Sequence, residues 1–182
     1  MAINSRAKGN KAERNTAKLF EKWTGKQFAR TPSSGGLNWK SSNSKGDIVC
    51  TTEGHYFPFC IEIKNHKEIN FEQLILPLKH RKILEFWEQC ERDAIKARKI
   101  PLLLMRYNGM PKNMFFSVLR ANDLFQFTTQ KEIQEMGPMI TYNSYKEKKS
   151  LVVFKITDLF SLEYKTIRKK IKTYLKDIYG TR

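Results

Sequence analysis

Between Tyr56 and Lys64 the chain reads Tyr-Phe-Pro-Phe-Cys-Ile-Glu-Ile-Lys, an aromatic and β-branched run that closes by alternating isoleucine with charge. Such a run predicts a strand. Successive strand side chains point to opposite faces, so Ile61 and Ile63 share one face and Glu62 and Lys64 the other. An acid and a base are thereby held on an otherwise buried element, which costs stability unless the pair has a use. Asp47-Ile48-Val49-Cys50 reads as a second strand that opens on an acid, and Thr52-Glu53-Gly54-His55 as the turn between the two. The expected product is a hairpin across which the carboxylates of Asp47 and Glu62 converge.

A divalent cation neutralises two converging carboxylates. An all-oxygen set of carboxylates, a backbone carbonyl such as that of Ile63, and waters suits magnesium, Mg2+. A neighbouring ammonium, here Lys64, can then orient or activate water for attack on phosphorus. The spacing Glu-x-Lys is weak evidence by itself, because Glu147-Lys148-Lys149 and Glu163-Tyr164-Lys165 repeat it. Neither copy lies on an apolar strand. The competing reading is an edge-strand ion pair between Glu62 and Lys64, with Asp47 a turn residue after Gly46.

Around this hairpin the patterning predicts a mixed sheet flanked by helices, an α/β (α+β) chain without repeats or linkers. Ala12, Leu19, Phe20 and Trp23 recur at helical spacing and Gly25 stops that helix. The stretches Thr31 to Gly36 and Ser41 to Gly46 read as loop. A long helix is expected from about Lys79 to Lys99, with Ile83, Leu84, Trp87, Cys90, Ala94 and Ala97 inward, and Pro101 marks its exit into a buried strand at Leu102-Leu103-Leu104-Met105. Further strands are expected at Asn113 to Leu119 and Leu151 to Ile156, short helical pieces within Ala121 to Glu135, a charged turn at Lys146 to Ser150, and an amphipathic basic helix from Ser161 to Tyr179. The expected order is α, β, β, α, β, β, β, α in one domain of 182 residues.

The formal charge of +16 is concentrated at the ends. Residues 1–46 hold ten Lys or Arg against two Glu, and residues 165–182 hold seven against Asp177 alone. Concentrated positive charge attracts phosphates and releases counterions, so a polyanion is the expected partner; a solvated surface is the bland alternative and an anionic lipid surface a lesser one. No apolar run is long enough for a membrane span and the N-terminus has no apolar leader core, so an intracellular, cytoplasmic location is expected. Cys50, Cys60 and Cys90 lack metal-ligand spacing and read as reduced core thiols.

These residues resemble the PD-(D/E)XK nuclease superfamily, and within it the archaeal-type Holliday junction resolvases. The resemblance spans roughly residues 6 to 119 and rests on Lys8-Gly9-Asn10-Lys11-Ala12-Glu13-Arg14, Arg30-x-Pro32-Ser33-Ser34-Gly35-Gly36, Gly46-Asp47-Ile48-Val49, Ile61-Glu62-Ile63-Lys64 and the helix leading to Pro101. Gly46 stands where the superfamily signature has proline. The resemblance implies a restriction-endonuclease-like fold and a metal-dependent DNA endonuclease using Mg2+, with Mn2+ able to substitute. It makes Asp47 and Glu62 metal ligands, Lys64 the catalytic lysine, Glu13 an additional acid near the metal, and Ser33 or Ser34 a contact near the scissile phosphate. Glu13 reads equally as an acid favoured near a helix N-terminus. Gln89 either reaches the metal site or is a surface glutamine beside Trp87. Arg6, Lys8, Lys11, Arg14, Arg30, Lys169 and Lys170 are candidate phosphate contacts, as is His66. His55 and His80 read as solvated. A four-way DNA junction cut on two symmetric strands implies a homodimer. Residues 120–182 carry no recognisable resemblance, and a non-catalytic basic DNA-binding module stays open as the alternative.

Overall fold

The computed structural model describes residues 5–31, 45–76 and 80–180. Helix α1 (Ser5–Thr24) leads into strands β1 (Phe28–Arg30), β2 (Ile48–Cys50) and β3 (Phe59–His66), then a 3-10 turn (Phe71–Leu74) and helix α2 (Lys82–Ala97). Strands β4 (Ile100–Tyr107) and β5 (Phe116–Arg120) follow, then helices α3 (Ala121–Phe127) and α4 (Gln130–Glu135). The hairpin of β6 (Ile140–Ser144) and β7 (Lys149–Lys155) and the helices α5 (Ile156–Phe160) and α6 (Tyr164–Tyr179) complete the described chain. All seven described strands join one sheet in the order β1-β2-β3-β4-β5-β7-β6. This mixed sheet with six α-helices among the described residues is an α+β fold consistent with a restriction-endonuclease-like architecture.

Strand β3 and its neighbour β4 run parallel, from Phe59 opposite Ile100 to His66 opposite Tyr107, while every other described pairing is antiparallel. Parallel neighbours need a crossover, and α2 supplies it. The alternation along these strands sorts the core into two layers. Ile61, Ile63, Leu102 and Leu104 pack with Phe20 of α1, Phe127 of α3, Leu159 of α5 and Ile167 and Ile171 of α6. On the opposite face Leu103, Met105 and Val118 pack with Trp87 and Cys90 of α2. Glu62 and Lys64, out of phase with Ile61 and Ile63, therefore belong to the α2 side. Residues 120–182 share both layers with the earlier part of the chain, through Val152 and Phe154 on one side and Leu151 and Val153 on the other.

The structure departs from the sequence reading in identifiable places. Strand β1 is only three residues long, and β6 is an edge strand, Ile-Thr-Tyr-Asn-Ser, of which only Tyr142 is buried. Neither has the apolar pattern that betrays a strand. Helix α2 starts at Lys82 and ends at a left-handed Arg98 (φ 52°). Pro101 lies inside β4 rather than before it. The Ile100 N–H donates to Pro58 O of the parallel neighbour, so the nitrogen of Pro101 faces the other edge, where pairing with β5 begins only at Leu103. No ladder bond is sacrificed there. His55, expected in solvent, instead shares a hydrogen bond of 2.7 Å with the Tyr164 hydroxyl.

The three cysteines are free thiols. Cys90 Sγ donates weakly to the Cys60 carbonyl at 3.8 Å, and burial pushes the Cys60 thiol up to about 12, as expected of packing residues. No described helix is long and apolar enough to cross a membrane.

Candidate active site

The site forms where β2 stops short of the end of β3. Strand pairing between them is recorded at Ile48 and Ile61. Beyond it, the Asp47 N–H donates to Ile61 O at 2.7 Å, and the Asp47 carboxylate replaces a strand partner by accepting the Ile63 N–H on Oδ2 at 2.6 Å. The N–H and C=O of one strand residue point to the same edge, so the Ile63 carbonyl faces the edge that Asp47 occupies. Thr31, just after β1, donates its N–H to Asp47 O at 2.8 Å and fixes the acid from the other side.

This approach dictates glycine at position 46. Its φ is +95°, and a Cβ there would sit 2.6 Å from Ile61 O and 3.0 Å from Ile61 N, both backbone atoms. Proline, locked near −65°, cannot adopt this conformation. Gly46→Ala is expected to cost roughly 1–3 kcal/mol, the usual scale of a forced backbone conformation, and urea denaturation checks it. An unchanged midpoint would mean that the loop relaxes freely.

Glu62 is only 5% exposed. Lys64 Nζ donates to Glu62 Oε1 at 2.6 Å and to Gln89 Oε1 at 3.0 Å, while Gln89 Nε2 donates to the same Glu62 oxygen at 2.8 Å. The three side chains thus close a triangle of hydrogen bonds between β3 and α2. Gln89, left open between two roles by the sequence, is part of this constellation. Phe86 was not anticipated: Lys64 Nζ lies 5.3 Å from its ring centroid, and the His66 ring lies 4.8 Å from the same ring. The available signal was spacing, since Phe86 and Gln89 stand three apart and share a helix face. The ring and the amide together hold the ammonium in place.

Burial first, and then the charge of Glu62, push the Asp47 carboxyl up to about 7, with Glu13 adding to the repulsion and Lys64 and the Ile63 N–H opposing it. Acids held together at such a cost are suited to a cation. No described hydrogen bond uses Asp47 Oδ1 or Glu62 Oε2, which leaves one oxygen on each for metal. No cluster of three or more His, Cys, Asp or Glu is poised for metal among the described residues. The donor set is instead two carboxylates and the Ile63 carbonyl, all hard oxygens, and it fits Mg2+ or Mn2+.

A sign follows for stability. An acid raised from 3.8 to about 7 keeps its proton in the folded state where the unfolded chain has released it. Without metal, stability should therefore fall as pH rises between those values. Each pKa unit corresponds to about 1.4 kcal/mol, so the loss is on the order of a few kcal/mol. Urea denaturation of wild type and Asp47→Asn at pH 5 and pH 8 is expected to show a pH-dependent difference that added Mg2+ removes at pH 8. A constant difference would place Asp47 in an ordinary environment.

Glu13 lies on α1 and forms an ion pair with Arg30 of β1, so the acid expected near the metal and the arginine expected on DNA are partners. Lys11 and Arg14 are exposed beside Glu13. Arg6 and Lys8 fall in the first turns of α1, where only the backbone is described, and Ser33 and Ser34 lie outside the described residues. Lys169 is exposed, whereas Lys170 donates to Phe127 O at the end of α3 at 3.1 Å.

A family model described as "Phage putative PDDEXK endonuclease" matches residues 4–174. The match takes in most of the C-terminal stretch that had no recognisable resemblance in the sequence reading. The chain is also similar to "Protein D14" of Escherichia phage T5, with 29% identity over 107 residues, 58% of this chain and 66% of that protein. It thus spans just under two thirds of that relative's length. No solved structure matches.

Proposed function

The chain belongs to a phage PDDEXK endonuclease family, and on that premise we propose that it is a Mg2+-dependent DNA endonuclease selective for branched DNA, of the Holliday junction resolvase type. The observation that carries the chemistry is the meeting of Asp47, Glu62 and the Ile63 carbonyl on β3 just past its pairing with β2, with Lys64 held against Glu62 by Gln89 and Phe86. Asp47, Glu62 and the Ile63 carbonyl would hold the cation. The cation supplies Lewis acidity at the phosphate when bound. Lys64 Nζ, fixed by two side-chain acceptors and a ring face, orients the attacking water and offsets charge that develops on the phosphoryl oxygens. Glu13 acts on Asp47 through its charge rather than as a third carboxylate of a metal cluster, and is neutralised by Arg30 until a phosphate competes for that guanidinium. Lys11, Arg14 and Lys169 contribute phosphate contacts, with Arg6, Lys8, Ser33, Ser34 and Lys170 as further candidates.

Cutting a four-way junction on two symmetric strands takes two such sites, so the active form is proposed to be a C2 homodimer. Labelled four-way, flap and linear duplex DNA, incubated with the protein and Mg2+, Mn2+ or EDTA, test the reading. Cleavage of the four-way DNA ahead of the others, abolished by EDTA, is expected. Equal cleavage of linear duplex would remove the branch selectivity. DNA binding without cleavage under any metal would leave a basic binding module.

A further inference from the structure

At the other end of β3 from Lys64 a cavity of about 400 Å³ opens between α6, the end of α2 and the segment before β3. Its lining is Tyr56, Arg98, Lys172, Leu175, Lys176, Tyr179 and Gly180. Three cations and two tyrosines line it, and no acid does. Arg98, Lys172 and Lys176 enter no ion pair among the described residues. They are exposed, while the wall behind them is tied down. The Tyr56 hydroxyl donates to Arg98 O at 3.4 Å, Arg168 Nε donates to Tyr56 O at 2.9 Å, and the Gly180 N–H closes α6 on Lys176 O at 2.8 Å. Tyr179 packs against the same apolar layer that supports Ile61 and Ile63.

Aromatic faces beside a cluster of cations are the combination that binds single-stranded nucleic acid: rings take bases by stacking, and cations take the backbone. The volume is at the small end of ligand pockets and suits one nucleotide rather than a duplex groove. We propose that this cavity binds an unpaired nucleotide of a DNA strand, a second contact remote from the metal site. The inference draws on the nuclease reading only in taking DNA as the ligand. From Phe59 to Lys64 the strand covers roughly 17 Å, about five base steps, so a substrate with an unpaired segment beside its cleaved duplex could engage both ends of the sheet. The sequence reading put phosphate contacts on Lys169 and Lys170, but the α6 lysines that line the cavity are Lys172 and Lys176, one turn apart.

The rival explanation for lysines here is electrostatic, because cations favour helix C-termini and two helices end at this cavity. Fluorescence anisotropy with short labelled oligo(dT), in EDTA so that no cleavage occurs, separates the two across several salt concentrations. Lys172→Gln combined with Lys176→Gln is expected to weaken binding about tenfold and to reduce the salt slope of log K by about 0.7 for each phosphate that is no longer neutralised. Tyr179→Leu, which keeps apolar packing, is expected to weaken binding at least about fivefold, and Tyr179→Phe, which keeps the ring, to restore it. Unchanged affinity and slope in the lysine double variant, with a lowered melting temperature, would overturn the proposal in favour of helix-end stabilisation. Competition by thymidine monophosphate as strong as that by oligo(dT) would overturn the assignment to a DNA strand. Asp47→Asn should bind oligo(dT) like wild type. A chain that binds oligo(dT) through this cavity but cleaves no DNA would sink the nuclease reading and leave this one standing.

Discussion

Asp47→Asn is expected to abolish DNA cleavage while leaving DNA affinity nearly unchanged. The amide preserves the shape of the side chain, and its oxygen can still accept the Ile63 N–H that the carboxylate accepts at 2.6 Å. What disappears is the negative charge that would hold a cation beside Glu62. Removing a group that acts as part of a unit typically costs the whole unit, so a loss of roughly 10³ or more in rate is expected. The positive residues proposed to grip phosphate lie elsewhere, on α1, β1 and α6, and are untouched. Rates under saturating Mg2+ and binding of the same labelled DNA in EDTA check both halves. Cleavage near the wild-type rate would take Asp47 out of the site.

Lys64→Ala is expected to lose roughly 10² in rate, the scale of one positioned electrostatic or proton-transfer group, with only a small loss of DNA affinity. A complication arises from the triangle with Glu62 and Gln89, because the lysine is also the counterion of an acid that is 5% exposed. Its removal leaves Glu62 to the Gln89 amide alone, so the apo variant should melt earlier than wild type, and Mg2+ should recover part of the difference. Measured at saturating Mg2+, the rate effect separates from the folding effect. A fall of less than about threefold in rate, with the melting change intact, would make Lys64 a structural counterion.

The proposed catalytic carboxylates were legible because strand alternation is a local rule. Glu62 and Lys64 had to share a face once Ile61 and Ile63 were assigned to the core, and Asp47 announced itself by opening the preceding strand. Gln89 stood on the long helix, but its role depended on a crossover that places α2 over β3, and parallel pairing is a non-local fact. Phe86 was hidden for the same reason. The proposed phosphate contacts were the least legible. A surplus of lysine says that a polyanion is wanted, but which lysine is free depends on partners far along the chain, such as Phe127 O for Lys170 and Glu13 for Arg30. The strands missed, β1 and β6, are short edges whose pairing comes from the sheet rather than from their own apolar content. Gly46 stands where the superfamily signature has proline, and the close approach to Ile61 makes glycine the residue that this backbone requires.

All the proposed catalytic groups lie between Glu13 and Gln89, yet the layer beneath Ile61 and Ile63 is completed by Val152 and Phe154 of β7 and by Ile167 and Ile171 of α6. During synthesis the ribosome delivers the chemistry long before it delivers the support. A nascent chain halted near residue 120 carries every residue of the proposed catalytic site, but lacks the apolar partners that complete the layer beneath β3. The proposed cleavage activity should therefore appear late and all at once, and a chain truncated near residue 120 is expected to be inactive.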